Sequence, residues 1–280
     1  MNAPRLGAAI LAGFVVLAIG APWLAPVGPS DATDLVITRF LPPGSIDDYG
    51  ILHALGTDRL GRDVWSRLAH GARVSLVVGA LATLVSLVVG VMVGGMAALL
   101  RGTAGTLLLG LTDFALAVPR VVLLLLLAAL WEPSALLVIL TLGLTGWMPI
   151  ARLIYAETLS QLGRPYLAAG RALGGGRRQL FLRHVLPNAA PPLLAAVSLG
   201  IGNAITLEAG LSFLGLGVQP PTPSWGSLIA SGRETVVNAP WVGLAPGVAL
   251  VLVVIACTLV GDGFERRNDP DRHQIAGAER

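Results

Sequence analysis

Apolar residues gather into six long runs, separated by short polar or basic stretches. The runs are Leu6–Leu24, Val74–Leu100, Leu107–Trp131, Ala135–Tyr155, Pro191–Leu211 and Trp241–Gly261. A helix needs roughly 20 mostly apolar residues to cross hydrocarbon, where an unpaired backbone group is too costly. Each run is therefore predicted to be a transmembrane helix, the second and third long enough to tilt or to end in loops. Glycines such as Gly90, Gly94 and Gly95 within the second run suit close helix packing. The first run has Arg5 before it and small residues near Gly20, but Pro22 follows at once and suits a cleavage site poorly. It is expected to be an uncleaved span.

Between the runs, three stretches carry patterns of their own. Leu55–Ser75 places Leu60, Val64 and Leu68 four apart, with Arg59, Arg62, Asp63 and Arg67 elsewhere. That spacing predicts an amphipathic helix lying at a membrane surface before span two. Residues 156–188 alternate apolar and basic positions, with Tyr166, Ala169, Leu173 and Leu180 near helical spacing and Gly174, Gly175 and Gly176 as a break. Two short helices joined by a flexible turn are expected there, with Pro187 restarting the chain toward span five. Such a helix could dock into a groove on another protein or rest on anionic lipid, and the pattern alone favours neither. The stretch Leu211–Trp225 ends Pro-rich and is expected to dip back toward the membrane.

Composition supports the membrane reading and narrows the chemistry. The 280 residues are 54% hydrophobic and 12% charged, about half the charge of a soluble domain. All nineteen basic residues are Arg. Without Lys there is no phosphate loop ending in Gly-Lys-Ser/Thr and no Lys nucleophile. One cysteine, Cys257, and four scattered histidines, His53, His70, His184 and His273, offer no disulfide and no metal-ligand spacing. No catalytic residue, metal or cofactor is assigned to the chain.

Arg152, Arg164, Arg171, Arg177, Arg178 and Arg183 face only Glu157 in the loop after span four. Arg5, Arg101, Arg266, Arg267 and Arg272 fall on the same side, so both termini and this loop are expected to be cytoplasmic. Residues 25–73, with six Asp and five Arg, are then external.

Charged groups inside the spans cost about 2.5–3.5 kcal/mol each on insertion scales and call for a role. Asp113 and Arg120, seven apart in span three, should share a helical face and either pair or line a path. Asn203 and Glu208 in span five are further candidates for such a path, Glu208 near the outer interface. Trp147, Trp225 and Trp241 read as interfacial anchors and His184 as a surface residue.

Three stretches, LGTDRLGRDVWSRLAHGARVSL, YLAAGRALGGGRRQLFLRHVLPN and EAGLSFLGLGVQPPTPSWG, resemble the permease subunits of peptide-class ABC importers, the dipeptide, oligopeptide and nickel transporters. The likeness is closest to the second, shorter permease of the pair and runs from Leu55 to Gly263. It implies an all-α membrane fold of six transmembrane helices with a cytoplasmic coupling helix-turn-helix, the type I importer permease fold. The implied division is a first helix (1–25), an external segment with an amphipathic helix (26–73), a five-helix core (74–262) with its coupling loop (156–188), and a cytoplasmic tail (263–280).

In that family the loop carries the EAA motif, which meets the ATPase. Tyr166, Ala169, Arg171, Ala172, Leu173, Gly174, Leu186 and Pro187 match it, whereas Ala168 stands where the family has Glu and Gly170 where it has the second Ala. The departure removes an acidic contact. The resemblance further implies a second homologous permease subunit, two cytoplasmic ATPase subunits holding ATP and Mg, an extracytoplasmic solute-binding protein, a lipid environment in the bacterial inner membrane, and no nucleic acid. The solute is expected to be a di- or oligopeptide, with nickel or glutathione-like solutes as alternatives. The rival class is an ion-coupled secondary transporter with Asp113 and Glu208 as carriers, although no internal repeat supports it.

Overall fold

The computed structural model describes residues 3–25, 27–31, 37–100, 102–172 and 174–267. Arg101, Leu173, Arg272 and His273 lie outside the described residues. The chain is a bundle of helices with one small hairpin. Helix α1 is Ala3–Leu24, and a two-stranded antiparallel hairpin follows, β1 Ser45–Ile46 pairing with β2 Leu52–His53. Helix α2, Val64–Leu99, is 36 residues long, about 54 Å at 1.5 Å per residue.

Helices α3 Thr103–Ala117 and α4 Arg120–Leu130 follow, then α5 Ala135–Leu144 and α6 Trp147–Leu162. A cluster of short pieces comes next: α7 Pro165–Ala172, α8 Arg177–Leu180, a π-helical turn Phe181–Val185, and α9 Leu186–Asn188. Helices α10 Ala190–Phe213, α11 Trp225–Glu234 and α12 Trp241–Arg267 complete the order.

Five stretches are long and apolar enough to cross a membrane: α1, α2, α5–α6 taken together, α10 and α12. The pair α3–α4 makes a sixth when taken as one broken span. The expectation of a single helix over Leu107–Trp131 is corrected here. The two pieces meet at 80° because Pro119 has no N–H to continue the ladder and forces Val118 out of the helical region, to φ −77° and ψ 127°. The stretch at Leu55–Ser75 is likewise no separate amphipathic helix. Gly61 turns at φ +69°, and Asp63 caps α2 by accepting from the Ser66 N–H at 2.6 Å, so the helix starts at Val64 and runs unbroken into span two. The boundary drawn at residues 73 and 74 therefore falls inside one helix.

Helix α2 is the axis of the bundle and packs against α1, α5, α6 and α10. Its glycines make the closest approaches. A Cβ on Gly90 would lie 2.7 Å from Ile150 Cβ and 2.8 Å from the Trp147 carbonyl oxygen, and one on Gly94 would collide with the Ala151 backbone. Around this axis, Leu68, Ile205, Trp225 and Val253 form one core, while Val78, Leu124, Val138 and Leu142 form a second. The outer surface stays apolar: Val16, Leu107, Phe114 and Leu136 are all well exposed, as suits helices whose solvent is lipid.

Trp225 is not an interfacial anchor. It is fully buried, its indole donates to the Leu68 carbonyl at 3.1 Å, and Phe14 packs edge-on at 5.4 Å. The Pro-rich segment before it thus returns the chain into the bundle, where Ser224 and Ser227 cap α11 reciprocally.

Candidate translocation cavity and coupling helix

Two places concentrate the polar chemistry. The first is the helix-turn-helix at the C-terminal end of α2. Leu167 is fully buried and joins Ile154, Leu180, Phe181 and Val185 in a third core, which seats α7 on the bundle. On its other face Ala168, Ala169, Arg171 and Ala172 are exposed. The helix stops at Gly174, whose φ of +85° closes the turn, with the Gly175 N–H donating to the Gly170 carbonyl at 3.0 Å. Gly170 has a packing reason of its own, since a Cβ there would come within 2.8 Å of Leu180 Cδ2. Tyr166 donates to Gln161 Oε1 at 3.0 Å, and Arg177 ties the turn to α2 through the Leu99 carbonyl at 3.2 Å. Leu186 is half-buried, whereas Pro187 and His184 are exposed.

The second place is a cavity of about 320 Å³ at mid-bundle, bounded by α2, α4, α6 and α10. Its polar lining is Thr83 and Ser86 from α2, Arg120 at the first turn of α4, and Asn203 from α10. The Arg120 Nη2 group donates to the Leu142 carbonyl at 2.9 Å and Nε donates to Thr145 Oγ1 at 3.3 Å. Ser86 donates to the Gly143 carbonyl at 2.9 Å. Two of these bonds go to carbonyls in the last turn of α5, that of Leu142 and that of Gly143, the latter also accepting from the Gly146 N–H at 3.3 Å.

The four candidates named for a path do not converge. Arg120 and Asn203 share the cavity. Asp113 does not pair with Arg120: the break at Pro119 separates them, and Asp113 instead meets Arg152 of α6 at 2.7 Å on an exposed surface. Glu208 does not reach an interface but is fully buried, accepting from Ser212 at 2.7 Å and Ser75 at 3.2 Å. Ser75 accepts from the Trp225 N–H at 3.1 Å, so Glu208 helps fasten α11 to α2 and α10. Thr83, Ser86 and Gly146 escaped the sequence reading. The available signal was a pair of hydroxyls three apart within an otherwise apolar run.

At the opposite end of α2, two carboxylates organise the hairpin region. Burial alone would raise the Asp58 carboxyl, but Arg62 and Arg67 outweigh it and hold it below the usual carboxylate range. Burial likewise works against Asp47, yet N–H donation from Ile51 and Tyr49 and the His53 ring keep it low. His53 lies between Asp63, 2.9 Å from Nδ1, and Asp47, 3.5 Å from Nε2. Among the described residues no three His, Cys, Asp or Glu side chains are grouped to hold a metal ion.

Residues 86–274 match the family described as the binding-protein-dependent transport system inner membrane component. The chain belongs to this family. The di/tripeptide transport system permease protein DppC of Pseudomonas aeruginosa is 38% identical over 257 residues, covering 91% of this chain and 84% of that one. A Brucella suis biovar 1 relative with a provisional peptide transport permease name is 38% identical over 267 residues, covering 95% and 87%. A chain of the MetNI methionine ABC transporter in inward-facing conformations superposes with a TM-score of 0.58 in one crystal form and 0.60 in another. Identity there is 20% and 19%, and the match covers 71% and 72% of this permease and 95% of that chain, which establishes a shared fold. The permease is thus a multi-pass membrane protein with the type I ABC importer fold, a transport subunit rather than an enzyme.

Proposed function

We propose that this permease forms half of the translocation path of an ATP-driven importer for di- or oligopeptides. A second homologous permease completes the path. Two ATPase subunits bind ATP and Mg, and an extracytoplasmic solute-binding protein delivers the solute. In this reading α7, both termini and the Arg-rich loop are cytoplasmic, and the hairpin region is external. The carrying observation is α7 itself: a helix seated by buried Leu167 that turns Ala168, Ala169 and Ala172 outward. Small exposed residues beside Arg171 and Arg177 make a low, basic surface that can enter a groove on a partner. With Ala168 in place of an acidic residue, that contact rests on shape and on the arginines. The peptide class rests on the relatives' names, and Arg120 in the cavity agrees with a solute that carries a carboxylate.

Co-expression with its neighbouring genes and reconstitution in proteoliposomes tests the reading. ATP-dependent peptide uptake is expected, together with co-purification of two ATPase subunits. Ala169→Asp should leave insertion intact and reduce uptake at least tenfold. Uptake that persists without ATP but needs a proton gradient would overturn the importer reading.

A further inference from the structure

We propose that the Arg120 cavity is a carboxylate-binding subsite that holds the C-terminal carboxylate of the passing solute. The proposal rests on the peptide-import reading and names the group recognised inside the path. Three features carry it. First, Arg120 sits in the apolar bundle with no carboxylate of this chain in ion-pair range among the described residues; its partners are the neutral Leu142 carbonyl and Thr145 hydroxyl. A guanidinium has five N–H donors, and the Nη1 pair has no hydrogen-bond partner among the described residues. A cation at this depth is costly and is retained where it pairs or serves a path. Its charge is added to the positive N-terminal end of α4, of which it is the first residue.

Second, Thr83 borders the same cavity and is 4% exposed, and its Oγ1, itself shut off from solvent, has no hydrogen-bond partner. A buried hydroxyl without a partner is expensive unless a ligand supplies one. It is a spare donor at the cavity edge that a turn about χ1 would bring to a carboxylate oxygen, and the exposed Asn203 amide on α10 adds a further donor. Third, the space in front of the guanidinium is kept open by a glycine. A Cβ on Gly146 would lie 2.9 Å from Arg120 Nη2 and would collide with the Ser86 hydroxyl. The volume of about 320 Å³ falls at the small end of ligand sites, enough for the terminal residue of a peptide. Arg–carboxylate pairing in a water-poor site is strong and frequently bidentate.

The test uses the complete transporter in nanodiscs with Asn203→Cys. Cys257 is the other cysteine of this chain and is buried. The rate of labelling by a small neutral maleimide is read by mass on this chain, with 10–20 mM dialanine or dialanine amide as probes, roughly the excess a weak site needs. Dialanine should slow labelling at least fivefold and the amide should not. Arg120→Gln should abolish the protection, and Arg120→Lys should restore part of it. Thr83→Val breaks no hydrogen bond of the fold and should weaken protection about tenfold, the measure of one bond to an ion. It carries the test if Arg120→Gln fails to assemble.

Equal protection by acid and amide, no protection by either, or protection untouched by Thr83→Val would overturn the proposal. Labelling slowed by phosphatidylglycerol rather than by dialanine would assign the guanidinium to a lipid headgroup and overturn it too. ATP-dependent uptake of radiolabelled dialanine by the unaltered transporter reports separately on the importer reading, so the two fail apart.

Discussion

Gly90→Ala should separate the two central helices, and its cost can be worked from the geometry. The new Cβ would sit 2.7 Å from Ile150 Cβ, about 0.7 Å inside the 3.4 Å where ordinary contact begins, and 2.8 Å from the Trp147 carbonyl oxygen. The second obstacle is backbone, so no rotamer change relieves it. Helix α6 would have to retreat by roughly that distance, and Gly94 against Ala151 one turn further along would lose its fit as well. Forced overpacking of this size costs about 1–3 kcal/mol. At about 2–4 °C per kcal/mol for a chain of this order, the melting temperature should fall by roughly 2–12 °C. Gly13 is the control, because a Cβ there meets nothing within 4 Å, and alanine inside a helix is worth about 0.5–1 kcal/mol over glycine. Fluorescence-detected size exclusion after a heat ramp in mild detergent measures both. Equal melting of Gly90→Ala and Gly13→Ala would refute the claim that the α2–α6 approach is set by glycine.

Two further outcomes follow from the polar clusters. The Asp58 carboxyl titrates below its ordinary value of 3.8 because Arg62 and Arg67 favour its charged form over the opposing effect of burial. A depressed carboxylate stabilises the fold above the unfolded value and loses that contribution as pH falls through the folded one. Thermal stability should therefore be unaffected by this group from pH 8 to about 5 and fall below about pH 4. Asp58→Asn should remove that acid limb and cost about 3–5 kcal/mol at neutral pH, where two arginines lose their shared partner. Glu208→Leu should take from the Ser75 and Ser212 hydroxyls the carboxylate to which both donate, at about 1–3 kcal/mol each, and loosen α11. Protease nicking between residues 214 and 224 should rise in that variant and stay low in Glu208→Gln, which keeps acceptor and donor capacity; equal nicking would contradict the fastening role.

Much of the fold could be read in one dimension because the bilayer imposes a length on each apolar run, and the six runs became five stretches long enough to cross and one pair broken at 80°. The end of α7 was legible for a different reason: Gly174 needs a positive φ, and its place after an eight-residue helix is a local rule. Long-range partners left no such trace. Nothing near Trp225 says that its indole will reach Leu68, 157 positions away, or that Glu208 will bond a serine 133 positions away. Periodicity also misled where a turn residue outweighed it. Leu60, Val64 and Leu68 keep a helical spacing, but Gly61 and the Asp63 cap place Leu60 outside the helix.

The same proline that spoils one inference creates the site behind another. If span three were a straight helix, Asp113 and Arg120 would lie two turns apart on one face, and a neutral internal pair would suffice to explain both charges. Pro119 turns α4 by 80° from α3, sends Asp113 to an exposed partner on α6, and leaves Arg120 at the start of α4 beside the mid-bundle cavity without a counter-ion. A charge that could have been cancelled locally is instead kept available. Its cost is offset in part by the carbonyl of Leu142 and the hydroxyl of Thr145, which hold the guanidinium without neutralising it. The proposed carboxylate subsite calls for that balance: firm enough to orient an anion, and short of a permanent ion pair, so that the solute can leave again.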